Sequence, residues 1–371
     1  MKFLFYSLLL SFTASCMKFQ ENSLDPSSPS GFLFSLLTSS KSLYVAVGNN
    51  CTLWTSKDGI KWTSQSNTLF PNCAGSSGAT INAVAYGNGK FVAVGSLSSS
   101  TAGCGIWTSS DGFKWIQSTC GGGMTTPLYS VAFNGTNFVA GAADNYPTFA
   151  THFMQQSDVT ASTWTQVSFG ATAINGFVSS IISVGSTYYA TVSTVDSFVS
   201  TNNGASWSQF SSPLIASNAF TSSTSSPVRI AAGPGSRLIA YGTSTGLVPD
   251  WSYTDDLGVT WTTRTSTAGT SMGFNAGVYN AVSGFFVALG TTCLLGISST
   301  GGTNMDSPTN IQSGCSGTTW NALVVNPISG LLVAAGTNEN FAYSPLIGSP
   351  GSWIISTTGN TNSVNSIAFK P

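Results

Sequence analysis

Apolar positions along the chain fall into short runs of two kinds. Segments such as Asn82-Ala-Val-Ala-Tyr86 and Tyr129-Ser-Val-Ala-Phe133 alternate apolar with polar residues. Each is followed by a near-continuous run, as in Phe91-Val-Ala-Val-Gly95 and Phe138-Val-Ala-Gly141. Alternation describes a strand with one buried face, and an unbroken run describes a strand buried on both. The runs are short, β-branched or aromatic, and fenced by Gly and Asn, so helix is a poor reading of them. They also recur. Tyr44-Val-Ala-Val-Gly48, Phe286-Val-Ala-Leu-Gly290 and Leu332-Val-Ala-Ala-Gly336 repeat the same core, with weaker copies at Tyr188–Val192 and Leu238–Gly242.

Copies stand roughly fifty residues apart, the length of a four-stranded propeller blade. The pattern predicts an all-β fold, a seven-bladed β-propeller of antiparallel blades with strands A to D. Strand A is the alternating segment, placed at Asn280-Ala-Val282 in blade six and Asn321–Val325 in blade seven. Strand B is the apolar run. Gly87-Asn-Gly-Lys90 and Asn134-Gly-Thr-Asn137 supply the hairpin chemistry between them. Val364-Asn-Ser-Ile-Ala-Phe369 copies strand A once more and would close the ring beside blade one; Phe34–Leu37 competes for that slot. Residues 31–371 form one domain, because blades do not fold alone.

The C–D turn carries a family resemblance. Thr254-Asp-Asp256-Leu-Gly258-Val-Thr-Trp261 resembles the Asp-box (BNR) signature of sialidase-like propellers, and Ser200–Trp207 matches with Asn202 in the Asp position. Ser56-Lys-Asp58-Gly59-Ile-Lys-Trp62 and Ser109-Ser-Asp111-Gly112-Phe-Lys-Trp115 are one residue shorter. Blade three keeps only Trp164, blade six has Ser299-Thr-Gly-Gly302, and blade seven keeps Gly351 and Trp353. A short polar side chain can accept turn amides, Gly takes positive φ, and Trp can fold back between blades. Catalysis needs one site, and these turns are repeated, so Asp58, Asp111, Asn202 and Asp256 with Trp62, Trp115, Trp207 and Trp261 read as structural.

Of seven Cys, six flank C–D hairpins: Cys51 and Cys73, Cys104 and Cys120, Cys293 and Cys315. Antiparallel strands bring each pair of ends together, which favours these three disulfides among 15 connectivities. Metal binding would need closer spacing and partner His residues, and the single His makes it a poor fit. The seventh Cys sits in an address. Lys2 and the apolar run Phe3–Phe12 read as a signal peptide, residues 1–15, too short to span a bilayer. Thr13-Ala-Ser-Cys16 resembles a bacterial lipobox, though Thr13 stands where Leu is usual. It implies lipidation of Cys16; ordinary cleavage with Thr13 and Ser15 in the recognition positions competes. Residues 16–30 are a polar tether. Disulfides and signal together predict an exported, cell-envelope lipoprotein at the outer membrane or cell surface.

Only 6% of the 371 residues are charged, and the net charge of −1 offers no footprint for nucleic acid or a polybasic membrane surface. Ser and Thr exceed a quarter of the chain. No cofactor motif is present, and serine hydrolase chemistry would have to use His152 alone. The D–A and B–C loops share the face opposite the box turns, and on it Asp144, Tyr146, Phe149, His152 and Arg264 are candidate binding residues, with Phe70, Asp250, Trp251 and Glu339 beside them. A sialidase-type site implies three clamping Arg, a Tyr/Glu nucleophile pair and an acidic Asp. The three Arg here are Arg229, Arg237 and Arg264, all near blade five, and neither Glu21 nor Glu339 has an evident Tyr. The sequence therefore favours a monomeric, non-enzymatic scaffold that binds a protein or glycan. A diverged glycoside hydrolase and an envelope assembly factor are the alternatives.

Overall fold

A computed structural model of the chain describes residues 42–371, apart from 74–77, 98–102, 146–149, 157–159, 169–176, 193–196, 210–227, 243–250, 265–272, 307–308, 314, 316 and 346–347. The signal, Cys16, the tether and the Phe34–Leu37 segment fall outside the described residues, as do Tyr146, Phe149 and Asp250.

All regular structure in the described residues is β-strand with four 3-10 turns. The first strands are β1 (Leu43–Gly48), β2 (Leu53–Ser56) and β3 (Thr63–Gln65). The next blade comprises β4 (Thr80–Gly87), β5 (Lys90–Ser96), β6 (Cys104–Ser109) and β7 (Ile116–Ser118). It is followed by β8 (Leu128–Phe133), β9 (Phe138–Asn145), β10 (Ala150–Gln156) and β11 (Trp164–Ser168). Then come β12 (Val178–Val184), β13 (Thr187–Val192), β14 (Ser197–Ser200) and β15 (Ser208–Gln209). The fifth set is β16 (Arg229–Ala232), β17 (Leu238–Tyr241), β18 (Trp251–Thr254) and β19 (Thr262–Arg264). Strands β20 (Phe274–Asn280), β21 (Phe285–Gly290), β22 (Leu294–Ser298) and β23 (Thr309–Asn310) form the next. The last are β24 (Trp320–Val325), β25 (Leu332–Gly336), β26 (Phe341–Ser344), β27 (Ile354–Ser356) and β28 (Val364–Lys370).

These strands pair into seven four-stranded antiparallel sheets, each in simple sequence order except the first, which runs β28-β1-β2-β3. The slot beside β1 is thus held by the C-terminal strand, with Tyr44 opposite Phe369 and Ala46 opposite Ile367. The inner strands touch in a closed cycle, β28 to β4, β8, β12, β16, β20, β24 and back to β28. The fold is a β-propeller of four-stranded antiparallel blades. Radial closure of this kind leaves only short, protected strand edges.

Burial explains the sequence pattern. Second strands such as β1 and β25 are buried at every position, because they sit mid-sheet between two neighbouring blades. Inner strands such as β4 are only partly buried: Ile81, Val84 and Gly87 are covered and the positions between them are half-buried. Fully buried Trp107, Trp320, Phe91, Phe138, Phe274 and Phe286 fill the layers between blades. In blade six the inner strand is Phe274–Asn280, so Asn280-Ala-Val282 is not strand A as the alternation suggested. Asn280 instead caps the turn, its Oδ1 accepting the Val282 amide at 3.1 Å while its amide donates to Gly330 O at 2.8 Å.

Candidate functional site: the axial cavity

The repeated polar turns come first, because they set the scaffold. In blade one, Asp58 Oδ1 accepts the amides of Ile60 and Lys61, each at 2.8 Å. Ser56 Oγ donates to Asp58 Oδ1 at 3.0 Å and accepts the Gly59 amide at 2.9 Å. Asp111 and Ser109 repeat this pattern. The longer turns at Asp256 and Asn202 use the residue four positions on: Thr260 N to Asp256 Oδ1 at 2.8 Å, and Ser206 N to Asn202 Oδ1 at 3.0 Å. Asn serves as well as Asp, so the turn needs an acceptor rather than a charge. Blade six goes further, with Thr300 Oγ1 accepting Asn304 N at 3.0 Å and Ser298 Oγ accepting Gly302 N at 2.8 Å.

The Trp folds back in these turns: indole Nε1 of Trp115 and of Trp207 donates to the carbonyl of Gly112 and Gly204, each at 3.2 Å. Trp62 stacks on Phe341 of the neighbouring blade, ring centroids 4.3 Å apart, and Trp261 packs partly buried against the cluster of Tyr189, Ile230 and Leu238. In blade seven the equivalent Gly is Gly348, not Gly351. Trp353 Nε1 donates to Gly348 O at 2.7 Å, and a Cβ on Gly348 would stand 2.7 Å from Leu332 Cδ1. At Gly351 a Cβ would meet nothing within 4 Å. An insertion in the turn moves the Gly upstream while the Trp keeps its place.

The three disulfides join Cys51 to Cys73, Cys104 to Cys120 and Cys293 to Cys315, with Cα separations of 6.0, 6.3 and 6.0 Å. Glu339 belongs with them. Cys51, Cys293 and Glu339 occupy matching left-handed positions after the second strand, at φ 59°, 65° and 50°. Buried Glu339 accepts from Thr52 Oγ1 at 3.2 Å and from the Asn360 amide. It ties blade seven to blade one where other blades use a disulfide, so its role is a staple rather than a ligand contact.

Other loop-face candidates also resolve differently. Phe70 is 1% exposed and packs on Trp107 and Trp115. Trp251 is buried against blade six. Asp144 and His152 lie in strands, not loops: β9 and β10 extend past the expected turn, and Asp144 stands beside Thr151 across a register shift. Arg264 ends the outermost strand β19, with its guanidinium over the Tyr253 ring at 5.6 Å. Arg237 lies at the start of β17, paired with Asp255 at 2.7 Å. Arg229 opens the inner strand β16. The three arginines are thus divided among inner strand, rim and outer edge, and no clamp forms.

What the structure brings together instead is a ring around the axis. Inner strands open on a buried apolar residue, such as Ile81, Leu128, Val178, Val228 or Val364, and the next residue faces inward. Those seven residues are Asn82, Tyr129, Ser179, Arg229, Asn275, Asn321 and Asn365, and they line a cavity of about 350 Å³. Register shifts mark the same place in β4, β8, β12, β20, β24 and β28. Such bulges re-aim side chains. Inner strands begin from the D–A loops, so the cavity lies toward the disulfide-bearing face.

Four ring members bind the next strand. Asn82 donates to Leu128 O at 2.8 Å, Ser179 to Val228 O, Asn321 to Val364 O at 3.1 Å, and Asn365 to Ile81 O at 3.1 Å. Arg229 breaks the belt: its Nε is buried and has no hydrogen-bond partner. Its Cα pairs across the sheet with Tyr241, which also lines the cavity. Burial lowers the pKa of the Arg229 guanidinium. Burial likewise pushes the Tyr241 hydroxyl up to about 12, against the opposing effects of Arg229 and a hydrogen bond from the Gly277 amide. Among the described residues no carboxylate lines the cavity. Sequence inspection passed over this ring because it takes one residue from each of seven repeats; the recurring Asn at the second place of the inner strand was the available signal.

Comparison with solved structures agrees on the fold. The chain is similar to the structure described as "YCF48 bound to D1 peptide", with TM-score 0.54, 14% identity, and coverage of 75% of this chain and 80% of that one. It is also similar to "YCF48 from Cyanidioschyzon merolae", with TM-score 0.53, 12% identity, and coverage of 78% and 94%. At such identity the likeness speaks for the propeller alone. No family model matches the chain, and no curated protein does.

Proposed function

We propose that the chain is an exported, lipid-anchored, seven-bladed propeller of the Asp-box type that acts as a non-enzymatic scaffold and binds a protein segment at the disulfide-bearing face. The observation that carries this reading is the open, polar axial cavity on that face, built on strands and edged by stapled loops. Binding sites on rigid scaffolds have this form. The turn chemistry at Asp58, Asp111, Asn202 and Asp256 supports the Asp-box resemblance. The fold neighbour holding a peptide supports a polypeptide partner over a glycan. The divided arginines weigh against a sialidase.

Among the described residues no helix is long and apolar enough to cross a bilayer. Incorporation of a labelled fatty acid, abolished by Cys16→Ala, tests the anchor; unchanged labelling refutes it. For the partner, the detergent-solubilised full chain is crosslinked in envelope extracts. The reading expects a protein captured at the cavity face, and turnover of a chromogenic glycoside panel by the same preparation would replace it with the hydrolase alternative.

A further inference from the structure

Arg229 presents a problem that the scaffold leaves open. A buried charge is costly unless it is paired, and among the described residues no acid lines the cavity to pair it. Its neighbours on the ring spend their polar groups on the adjacent strand, whereas the Arg229 Nε contacts no acceptor. The scaffold does not need this charge, because β4, β12 and β24 close the same junction with Asn or Ser. A guanidinium whose Nε is left without an acceptor beside an open, polar cavity is a group waiting for an anion.

We propose that the axial cavity is a carboxylate-binding site in which the Arg229 guanidinium takes the two carboxylate oxygens and the Tyr241 hydroxyl donates beside it. The planar fork of Arg matches a carboxylate in paired, charge-assisted hydrogen bonds. A single cation balances a monoanion, whereas a phosphate dianion would carry a charge that nothing else on the ring neutralises. Tyr241 keeps its proton across the working pH range and already receives a hydrogen bond from the Gly277 amide, so its own O–H is free to be given outward. Tyr129 and Asn275, at the same level of the axis, add polar contacts for whatever bears the acid. The site deepens the binding-scaffold reading and rests on it.

A carboxylate of this kind comes either from a free small acid or from the terminus or side chain of a peptide. The test uses the full chain in detergent, with melting temperature and titration calorimetry as readouts. Probes are acetate, glutarate, the tripeptide Gly-Ser-Ala with a free or an amidated C-terminus, and inorganic phosphate. We expect free carboxylates to raise the melting temperature and the amidated peptide to do nothing. Arg229→Met, which keeps the stem and removes the charge, should abolish the response without lowering the unliganded melting temperature. Arg229→Lys should weaken binding by about tenfold, since the fork is lost. Response to acetate and glutarate alone supports the site and assigns a small acid; response to the free peptide alone supports it and assigns a polypeptide. Phosphate binding equal to carboxylate, or an Arg229→Met protein that still responds as wild type, overturns the proposal. Should Arg229→Met fail to fold, Tyr241→Phe serves: it should weaken every carboxylate response together, and an unchanged profile refutes the assignment. Partner capture that survives in a non-responding Arg229→Met protein would assign the site to a small acid and spare the scaffold. Loss of all capture by wild type would sink the scaffold reading, while the acid titration would stand by itself.

Discussion

The rim turns and the axial ring are both built from one residue position copied around the propeller, yet they use repetition in opposite ways. At the rim, the copies converge on one job. Asp58, Asp111, Asn202, Asp256 and Thr300 all accept turn amides, and the chemical identity of the acceptor matters little. Along the axis, the copies share a place but not a residue: Asn, Tyr, Ser and Arg face one another across a common space. Repetition with fixed hydrogen bonding marks structure. Repetition of place with a change of side chain, and one member left unsatisfied, marks chemistry.

The largest test of this contrast is Trp115→Ala. Trp115 is 5% exposed, packs on Phe70 and Phe91, and donates to Gly112 O. Removing it leaves a cavity between blades and should cost about 3–5 kcal/mol. Chemical denaturation should report that loss, while capture of the partner at low temperature remains. If stability were retained and capture lost, the rim would hold the ligand and the contrast would fall.

Legibility from sequence followed the same division. Strand B could be read because a strand buried on both faces has no polar position to confuse its length. The box turns could be read because Ser, Asp, Gly and Trp each have a distinct reason to be there. The cysteine pairs followed from antiparallel geometry alone. Blade six misled because Tyr279-Asn280-Ala281-Val282 alternates as convincingly as Phe274-Asn275-Ala276-Gly277, and only tertiary hydrogen bonds decide which is strand. Glu339 looked like loop chemistry because a carboxylate standing in for half a disulfide has no linear signature. Arg229 was legible as an odd residue. Its meaning was not, since a cavity made by residues from seven repeats exists only once the ring is closed.

The smallest expected effect concerns Asp256, and it separates charge from hydrogen bonding at the rim. Hydrogen bonds from the Thr254 hydroxyl, the Thr260 hydroxyl and the Thr260 amide hold its carboxyl down from 3.8 to about 2. A group lowered in the folded state contributes stability above its unfolded pKa and loses it as pH falls through the folded one. Asp256 should therefore support the fold fully above about pH 4 and cease to between about pH 4 and 2. Asp256→Asn places in blade five the side chain that Asn202 already provides in blade four. At neutral pH it should melt close to wild type, because Asn offers the same acceptor to the Thr260 amide. It should also remove this turn's share of acid sensitivity, so that wild type and variant converge as pH drops. Asp256→Ala has no acceptor and should melt lower at pH 7 with binding intact. Melting curves from pH 2 to 7 on the three proteins decide the matter. If Asp256→Asn were as damaging as Asp256→Ala, the rim would depend on charge, and the functional reading of these aspartates would have to be reopened.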